Sequence, residues 1–465
     1  MKEKEHIRNK YLSVEDHIKD GHDIDPITGF RYEYWDVGMT RNAKPENKKR
    51  LKVYLDPSPH VVLDQHVPLR GWYKSKFENP RVRNRPCYTE ALLTSPYGGT
   101  CPVRCQFCYV NNGQRGYRGQ GLTVVDPQYP DKIAKQLDSM KFGWNAYISS
   151  FTEPFQKLEG TYHITQRLSE EITKRGLPLF YLSRMIPPDW AVDYLSKSKY
   201  SYMQFSITTS DRDYSRKISP GAATIDEYLE CIRDVLKPRG IYVSIQCNPI
   251  MPGITSNEKI IKLIRELAAV GTDHIIFKFV EIVTPAAPDM ISKAKQLFGS
   301  RGDEFASLFT DNIGGMRTIR EDYRINALKL FKEETTRVGM TMSTCYEYGY
   351  ERNEDGSIKN KTGISIGQRF TTSEQCHGQR TPIHIKNEIT GLFEPFEGCP
   401  SCGCLYCNDI YPNNPPCKSL ELQQAKALPH NIYSKKLCDL NRDIISKESL
   451  LNTDISKKSK SLWDD

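Results

Sequence analysis

The chain has 465 residues, a hydrophobic fraction of 38% and a formal net charge of +8. That length admits two or three domains with a sizeable core. No apolar run reaches membrane-spanning length, and the charged start "MKEKEHIRNKYLSVEDHIKD" is neither a signal nor a transit peptide, so the expectation is a cytoplasmic protein without a membrane partner.

In chain order, residues 1–88 read as an irregular N-terminal extension, polar and rich in Pro, Asp and Tyr. Residues 66–120 hold nine Lys/Arg against Glu78 and Glu90, a local charge of +7 that suits an anionic partner or a solvated surface. From 89 to 346, short β-rich runs alternate with amphipathic stretches. Strands are expected at 89–95, 145–150, 177–183, 201–208, 241–249 and 274–282. Helices are expected near 130–140, 161–175, 188–196, 223–236, 257–270 and 320–337, with "MTMSTCY" (340–346) closing the region. Repeated βα units predict an α/β fold with a parallel sheet, six units making an open or partial barrel. Working residues then belong in loops after the strands. Residues 347–465 read as a small Cys-rich domain with a polar tail.

Fourteen cysteines in a reducing compartment need an explanation other than disulfides. Cys87, Cys231, Cys247, Cys345 and Cys438 are scattered and read as small buried residues. Cys101, Cys105 and Cys108 are not: "GGTCPVRCQFCYVNNG" puts three thiols in eight positions, directly after the first expected strand. A cubane iron–sulfur cluster usually takes four thiolates, so three leave one iron open, as a catalytic metal requires. Zinc with a fourth ligand from elsewhere, such as Cys87, is the competing reading.

Cys-x3-Cys-x-aromatic-Cys at this place in a βα series resembles the radical S-adenosylmethionine (radical SAM) superfamily. The resemblance implies a partial (β/α)6 radical SAM barrel, a [4Fe–4S] cluster on Cys101, Cys105 and Cys108, and SAM chelated to the open iron. It also implies reductive cleavage of SAM to a 5′-deoxyadenosyl radical, with an external one-electron reductant such as flavodoxin or ferredoxin. "SSFTEPFQKLE" (149–159), "YLSRM" (181–185), "FSITTSDRDYSRKISPGAATIDEYLECI" (205–232) and "QCNPIMPGITSNEKI" (246–260) are similar to the spore photoproduct lyase and DNA repair photolyase-like branch. By that resemblance Thr152, Glu153, Gln156, Ser183, Arg184, Ser206 and Thr208 are SAM contacts, with Thr209 beside them. The chain departs from spore photoproduct lyase in having no cysteine between Cys108 and Cys231 to donate hydrogen. Cys345, with Tyr346 next to it, is the alternative donor, against the reading of a packed terminal strand.

A second group, Cys399, Cys402, Cys404 and Cys407, follows Cys376-His377, with Cys417 ten residues further on. Thiolates at this spacing predict a second metal site, an auxiliary [4Fe–4S] cluster or zinc. For the substrate, the photolyase-like middle, the basic stretch and 26 tyrosines point to DNA, RNA or a nucleotide, repaired or modified at a base. Arg115, Tyr117 and Arg118 are the expected nucleic-acid contacts. The alternatives are radical modification of a peptide, protein or small metabolite, and a non-enzymatic nucleic-acid-binding protein with structural metals.

Overall fold

The computed structural model of the protein describes residues 23–38, 44–63, 91–108, 121–139, 142–149, 151–373, 376–379, 381–382, 384–387 and 389–395. Its centre is a seven-stranded parallel sheet: β1 Ala91–Thr94, β2 Asn145–Ile148, β3 Leu179–Ser183, β4 Tyr202–Ser206, β5 Tyr242–Ile250, β6 His274–Phe279 and β7 Thr341–Thr344. The strands lie in sequential order, each hydrogen-bonded to the next and all parallel. Parallel neighbours demand a crossover between them. These run through α1 Tyr129–Ser139, α2 Ile164–Thr173, α3 Asp189–Ser196, α4 Arg212–Ile218, α5 Ile225–Glu230, α6 Asn257–Ala269, α7 Ala287–Phe298, α8 Ser300–Leu308 and α9 Glu321–Arg337. All six expected strands are present, and "MTMSTCY" adds the seventh.

The period-two alternation of strands separates two layers. Leu92, Ala146, Tyr181, Met203, Phe205, Val243, Ile275 and Phe277 join the large core under the helices. Ala91, Leu93, Tyr147, Phe180 and Tyr202 pack on the opposite face. The helices meet the first layer with one stripe each: α6 buries Ile260, Leu263, Ile264 and Leu267, the i, i+3, i+4, i+7 pattern. Thr224 and Glu227 start α5 with a reciprocal capping box.

The expected irregular N-terminal extension is corrected. Residues 23–24, 31–38, 48–54 and 60–62 are strands of a six-stranded sheet completed by Thr123–Val125 and Tyr97–Gly99. One face buries Val37, Val53, Leu55, Val61, Leu122 and Val124. The other is polar, and its charges conceal the strand pattern in the sequence. The chain beyond residue 347 also returns to the body of the fold, forming a separate small sheet of His384–Lys386, Phe393–Pro395 and Phe142–Gly143. His384–Lys386 pairs with Phe142–Gly143, and Asn145 Nδ2 donates to Thr381 Oγ1 at 2.9 Å. Cys399, Cys402, Cys404, Cys407 and Cys417 lie outside the described residues, as do Arg115, Tyr117 and Arg118. Among the described residues, no helix is long and apolar enough to cross a membrane.

Candidate active site

The three-cysteine loop leaves the parallel sheet at the C-terminal end of β1. It is bracketed by the antiparallel pair Tyr97–Gly99 and Thr123–Val125. Its backbone is docked at both sides: Gln106 N–H donates to Ile218 O at 2.8 Å, Gly221 N–H to Val103 O at 3.0 Å, and Lys293 Nζ to Gln106 O at 2.8 Å. Phe107 is buried and stacks on Phe298 of α7, with centroids 6.2 Å apart. Gly221 permits this approach, since a Cβ there would sit 2.6 Å from Pro102 O and 2.8 Å from Val103 Cα. The turn also brings Ser219, whose Oγ lies 3.3 Å from Cys105 Sγ.

From Ser219 a chain of contacts runs across the strand ends. Arg184, just past β3, places Nη1 3.3 Å from Ser219 Oγ and donates to Ser206 O at 3.0 Å, while Nη2 donates to Asn248 O at 2.8 Å. The Arg184 backbone N–H donates to Glu153 Oε2 at 2.9 Å. Ser183 Oγ donates to Glu153 Oε1 at 2.6 Å, and Phe155 N–H donates to the same oxygen at 3.1 Å. Glu153 is fully sequestered, and burial raises its carboxyl to about 7 against these hydrogen bonds and the Arg184 charge. It is a carboxylate poised to accept a cation. Thr152 and Gln156 stand behind it: Thr152 Oγ1 donates to Tyr97 O at 2.9 Å and Gln156 Nε2 to Glu153 O at 3.2 Å. Thr208 is buried, and its carbonyl accepts from Cys247 Sγ at 3.6 Å. Thus Cys105, Glu153, Ser183, Arg184 and Ser206 are brought together at one edge, with Thr152, Gln156 and Thr208 in the segments that hold it.

The donor set fits the implied cofactors. Cys101, Cys105 and Cys108 are half-buried, and burial, followed by the neighbouring Cys105, Glu153 and Cys108, pushes the Cys101 thiol up. Thiolates packed so closely require a bound cation to ionise, which cluster irons supply. Among the described residues, no three His, Cys, Asp or Glu side chains are grouped as around a single ion. A cubane does not need that grouping, because each thiolate binds a different iron. The SAM ammonium is the cation that suits Glu153, and the Arg184 guanidinium suits a carboxylate.

Cys345 and Tyr346 stand at the same strand-end edge but at the far side of the sheet from β1, whereas Cys376 lies elsewhere. Cys345 and Tyr346 follow β7. Cys345 N–H donates to Phe277 O at 2.9 Å, and Tyr346 has φ 65°, with Lys278 donating to its carbonyl at 2.8 Å. Cys376 lies beneath the opposite end of the sheet, its carbonyl accepting from Ser343 Oγ at 2.6 Å and facing His274 Nε2 at 3.0 Å. It is not brought to the cysteine loop. Cys231 and Cys247 are buried, as their bland reading predicts. Sequence reasoning missed Ser219, Gly221 and Asn248. The "SPG" turn after α4 is the signal for the first two, a glycine punctuating a polar helix end. Asn248 acts through its carbonyl and leaves no side-chain signature.

Residues 95–268 match the sequence model of the radical SAM superfamily. A radical SAM Nα-GlyT isomerase of Pseudomonas phage M6 is 43% identical over 422 residues, covering 88% of this chain and 87% of that protein. Among solved structures, a spore photoproduct lyase variant with bound AdoMet and dinucleoside spore photoproduct is similar at 16% identity, over 57% of this chain and 84% of its own, with a TM-score of 0.40. Streptococcus suis SuiB is similar at 15% identity, over 56% of this chain and 49% of its own, with a TM-score of 0.36. Both scores are too low to add to the argument, whereas the phage relative matches across nearly its whole length. With the cysteine loop and the Glu153 edge in place, the chain belongs to the radical SAM superfamily and is a radical SAM enzyme.

Proposed function

We propose that this protein is a radical SAM isomerase acting on Nα-GlyT or a close analogue, with the reacting group carried on a nucleic-acid base or nucleotide. The observation that carries the reading is the 43% identity to an Nα-GlyT isomerase over 88% of this chain. When bound, the cluster and SAM supply a 5′-deoxyadenosyl radical that removes a substrate hydrogen. The chain's own residues do the rest. Cys101, Cys105 and Cys108 hold the cluster, Ser219 buttresses Cys105, Glu153 takes the SAM ammonium, and Arg184 the SAM carboxylate. The sheet is proposed to curl as a partial barrel round the substrate.

An isomerisation leaves the substrate's composition unchanged, so the hydrogen removed must be returned; return from 5′-deoxyadenosine, with SAM regenerated, would need no net hydrogen or electron from the protein. A thiol donor such as Cys345 is then unnecessary, which agrees with the lack of any cysteine between Cys108 and Cys231. An external flavodoxin- or ferredoxin-like reductant is proposed for the cluster, and Cys399, Cys402, Cys404 and Cys407 for a second metal site, auxiliary [4Fe–4S] or zinc. The test is anaerobic incubation of the reconstituted protein with SAM, dithionite and Nα-GlyT, free or in a strand, followed by mass spectrometry. The expected result is a chromatographically new product of unchanged mass. Formation of 5′-deoxyadenosine with every such substrate recovered intact would remove this reading.

A further inference from the structure

We propose that the outer face of the N-terminal sheet is a platform for an unpaired nucleic-acid strand, which it delivers to the cysteine loop. The proposal rests on the nucleic-acid reading of the substrate. Strand Lys48–Tyr54, "KKRLKVY", carries four cations and no anion; Lys48, Arg50 and Lys52 alternate onto one face, and Lys49 stands on the other, opposite Val37. In the antiparallel register Tyr32 stands opposite Tyr54, Tyr34 opposite Lys52, and Asp36 opposite Arg50. Strand alternation therefore puts these rings and cations together on the face turned away from the buried Val37, Val53 and Val61.

The side chains form one row. Tyr32 and Tyr34 meet edge-on at 5.8 Å, and Lys52 Nζ sits 4.0 Å from the Tyr32 ring centroid and 5.1 Å from that of Tyr54. Arg50 lies 5.8 Å from the Tyr34 centroid. Tyr54 stacks on His60 at 5.3 Å, and His60 Nε2 meets Tyr162 Oη at 2.7 Å. Tyr162 ends the one-turn helix Glu159–Tyr162, which directly follows the Glu153–Gln156 segment of the active site. The same sheet continues by hydrogen bonds through Thr123–Val125 to Tyr97–Gly99, two residues before Cys101. The sheet that carries the platform is thus tied to the catalytic edge at two places, through the buried His60 and through its own backbone.

Tyr34 is 53% exposed, and the Arg50 side chain 68%. The exposed Tyr34 ring, beside the half-buried Tyr32 and Tyr54 and interleaved with cations, offers stacking and phosphate contacts together, which an unpaired strand uses and a duplex, with its bases paired, does not. Carboxylates share the face: Asp25 pairs with Lys52, Asp23 stands opposite Tyr32, and Asp36, 4.0 Å from Arg50 and 64% exposed, is too loose and too wet to neutralise it, so Lys48 and Arg50 are the cations offered to phosphate.

The test is fluorescence anisotropy of the full chain with labelled 15-mers of single-stranded DNA, single-stranded RNA and duplex DNA across a salt series. The account expects at least one unpaired strand to bind tighter than duplex. Tyr34→Ala should weaken binding about ten-fold and Tyr34→Phe by less than two-fold. Lys48→Glu/Arg50→Glu should weaken it at least ten-fold and lower the salt slope by about 0.7 per lost phosphate contact. Thermal melting of each variant separates these losses from unfolding. Equal binding by wild type and folded variants, no strand binding at low salt, or duplex bound as tightly as single strand would each overturn the platform. Turnover of free nucleotide without strand binding would overturn it and leave the isomerase reading standing. Residue-dependent strand binding with no conversion of any Nα-GlyT substrate would do the reverse.

Discussion

The two ends of the parallel sheet treat their polar groups in opposite ways. At the C-terminal edge, Glu153 is buried with its carboxyl raised to about 7, and the Arg184 guanidinium is held by carbonyls and the Ser219 hydroxyl. At the N-terminal edge the chain closes over its own polar groups. His274 bonds Thr341 Oγ1 at 2.8 Å and Ser343 Oγ at 3.1 Å, and His377 is inserted among Tyr147, Phe180 and Tyr202. Burial pushes His274 down to about 4 and His377, beside it, to about 3, so both are neutral at physiological pH. One edge keeps charge available for a ligand, whereas the other removes charge to hold the fold. This difference accords with chemistry at the C-terminal edge, the side on which the cysteine loop lies.

The largest effect should come from the cysteine loop. Replacing Cys101, Cys105 and Cys108 by Ala is expected to remove the loop's iron and to lower 5′-deoxyadenosine formation at least about 100-fold. Iron and sulfide analysis with chromatography of the reaction mixture would show it. Retention of both would place the cluster elsewhere.

At the closed end the expected damage is to stability. Phe180 stacks between Tyr147 and Tyr202, at centroid distances of 4.5 and 4.4 Å. Phe180→Ala should cost about 3–5 kcal/mol in denaturant unfolding, the range for deleting a buried phenyl ring. A variant as stable as wild type would mean that this face is not a packed core.

Glu153→Gln is smaller and sharper. Losing one charge-assisted contact to the SAM ammonium should weaken SAM binding about 10- to 100-fold by calorimetry. In wild type, SAM affinity should rise as pH passes through about 7, since the ammonium favours the ionised carboxylate, and the variant should be flat. A wild-type profile without that rise would separate Glu153 from SAM binding.

The two ends also predict opposite pH slopes of stability. Glu153 has a raised folded value, so the folded chain binds more protons than the unfolded one between about 4.3 and about 7, and stability falls as pH rises through that window. His274 and His377 have depressed folded values, so the unfolded chain binds more protons below about 6.5, and stability falls as pH drops through about 4. His377→Asn should lessen the loss on acidification, whereas Glu153→Gln should lessen the loss above pH 5. Unfolding curves at pH 4.5, 6 and 7.5 would reveal exchanged signs if the assignment were reversed.

The parallel sheet was legible because strands buried on both faces are apolar throughout: "LPLFYLS" and "HIIFKFVEI" admit few other readings. The cysteine loop was legible because three thiols at close spacing have few uses. The N-terminal sheet was not, because "YEYWDVG" and "KKRLKVY" bury only one face and carry charge on the other. Glu153 was expected as a SAM contact through resemblance. Its hydrogen bonds to Ser183 and to the Arg184 N–H are tertiary, spanning about thirty residues, and no local pattern encodes them. The Ser219 contact with Cys105 spans 114 residues and is hidden for the same reason. The neutral histidine at 377 was hidden by its neighbour: beside Cys376 it reads as a metal pair, but the fold seats it among aromatic rings.

The most direct test follows hydrogen itself. Nα-GlyT carrying deuterium at its glycyl carbon would be incubated anaerobically with the reduced protein and SAM, and both product and 5′-deoxyadenosine analysed by mass spectrometry. The account predicts an isomeric product and deuterium at the 5′ carbon of SAM and of any 5′-deoxyadenosine released, because the abstracted hydrogen joins the 5′ methyl group before one of its three hydrogens is returned to the product. Isomer formation with no deuterium reaching SAM or 5′-deoxyadenosine, or a product that differs from the substrate by more than exchange of deuterium for hydrogen, would contradict it.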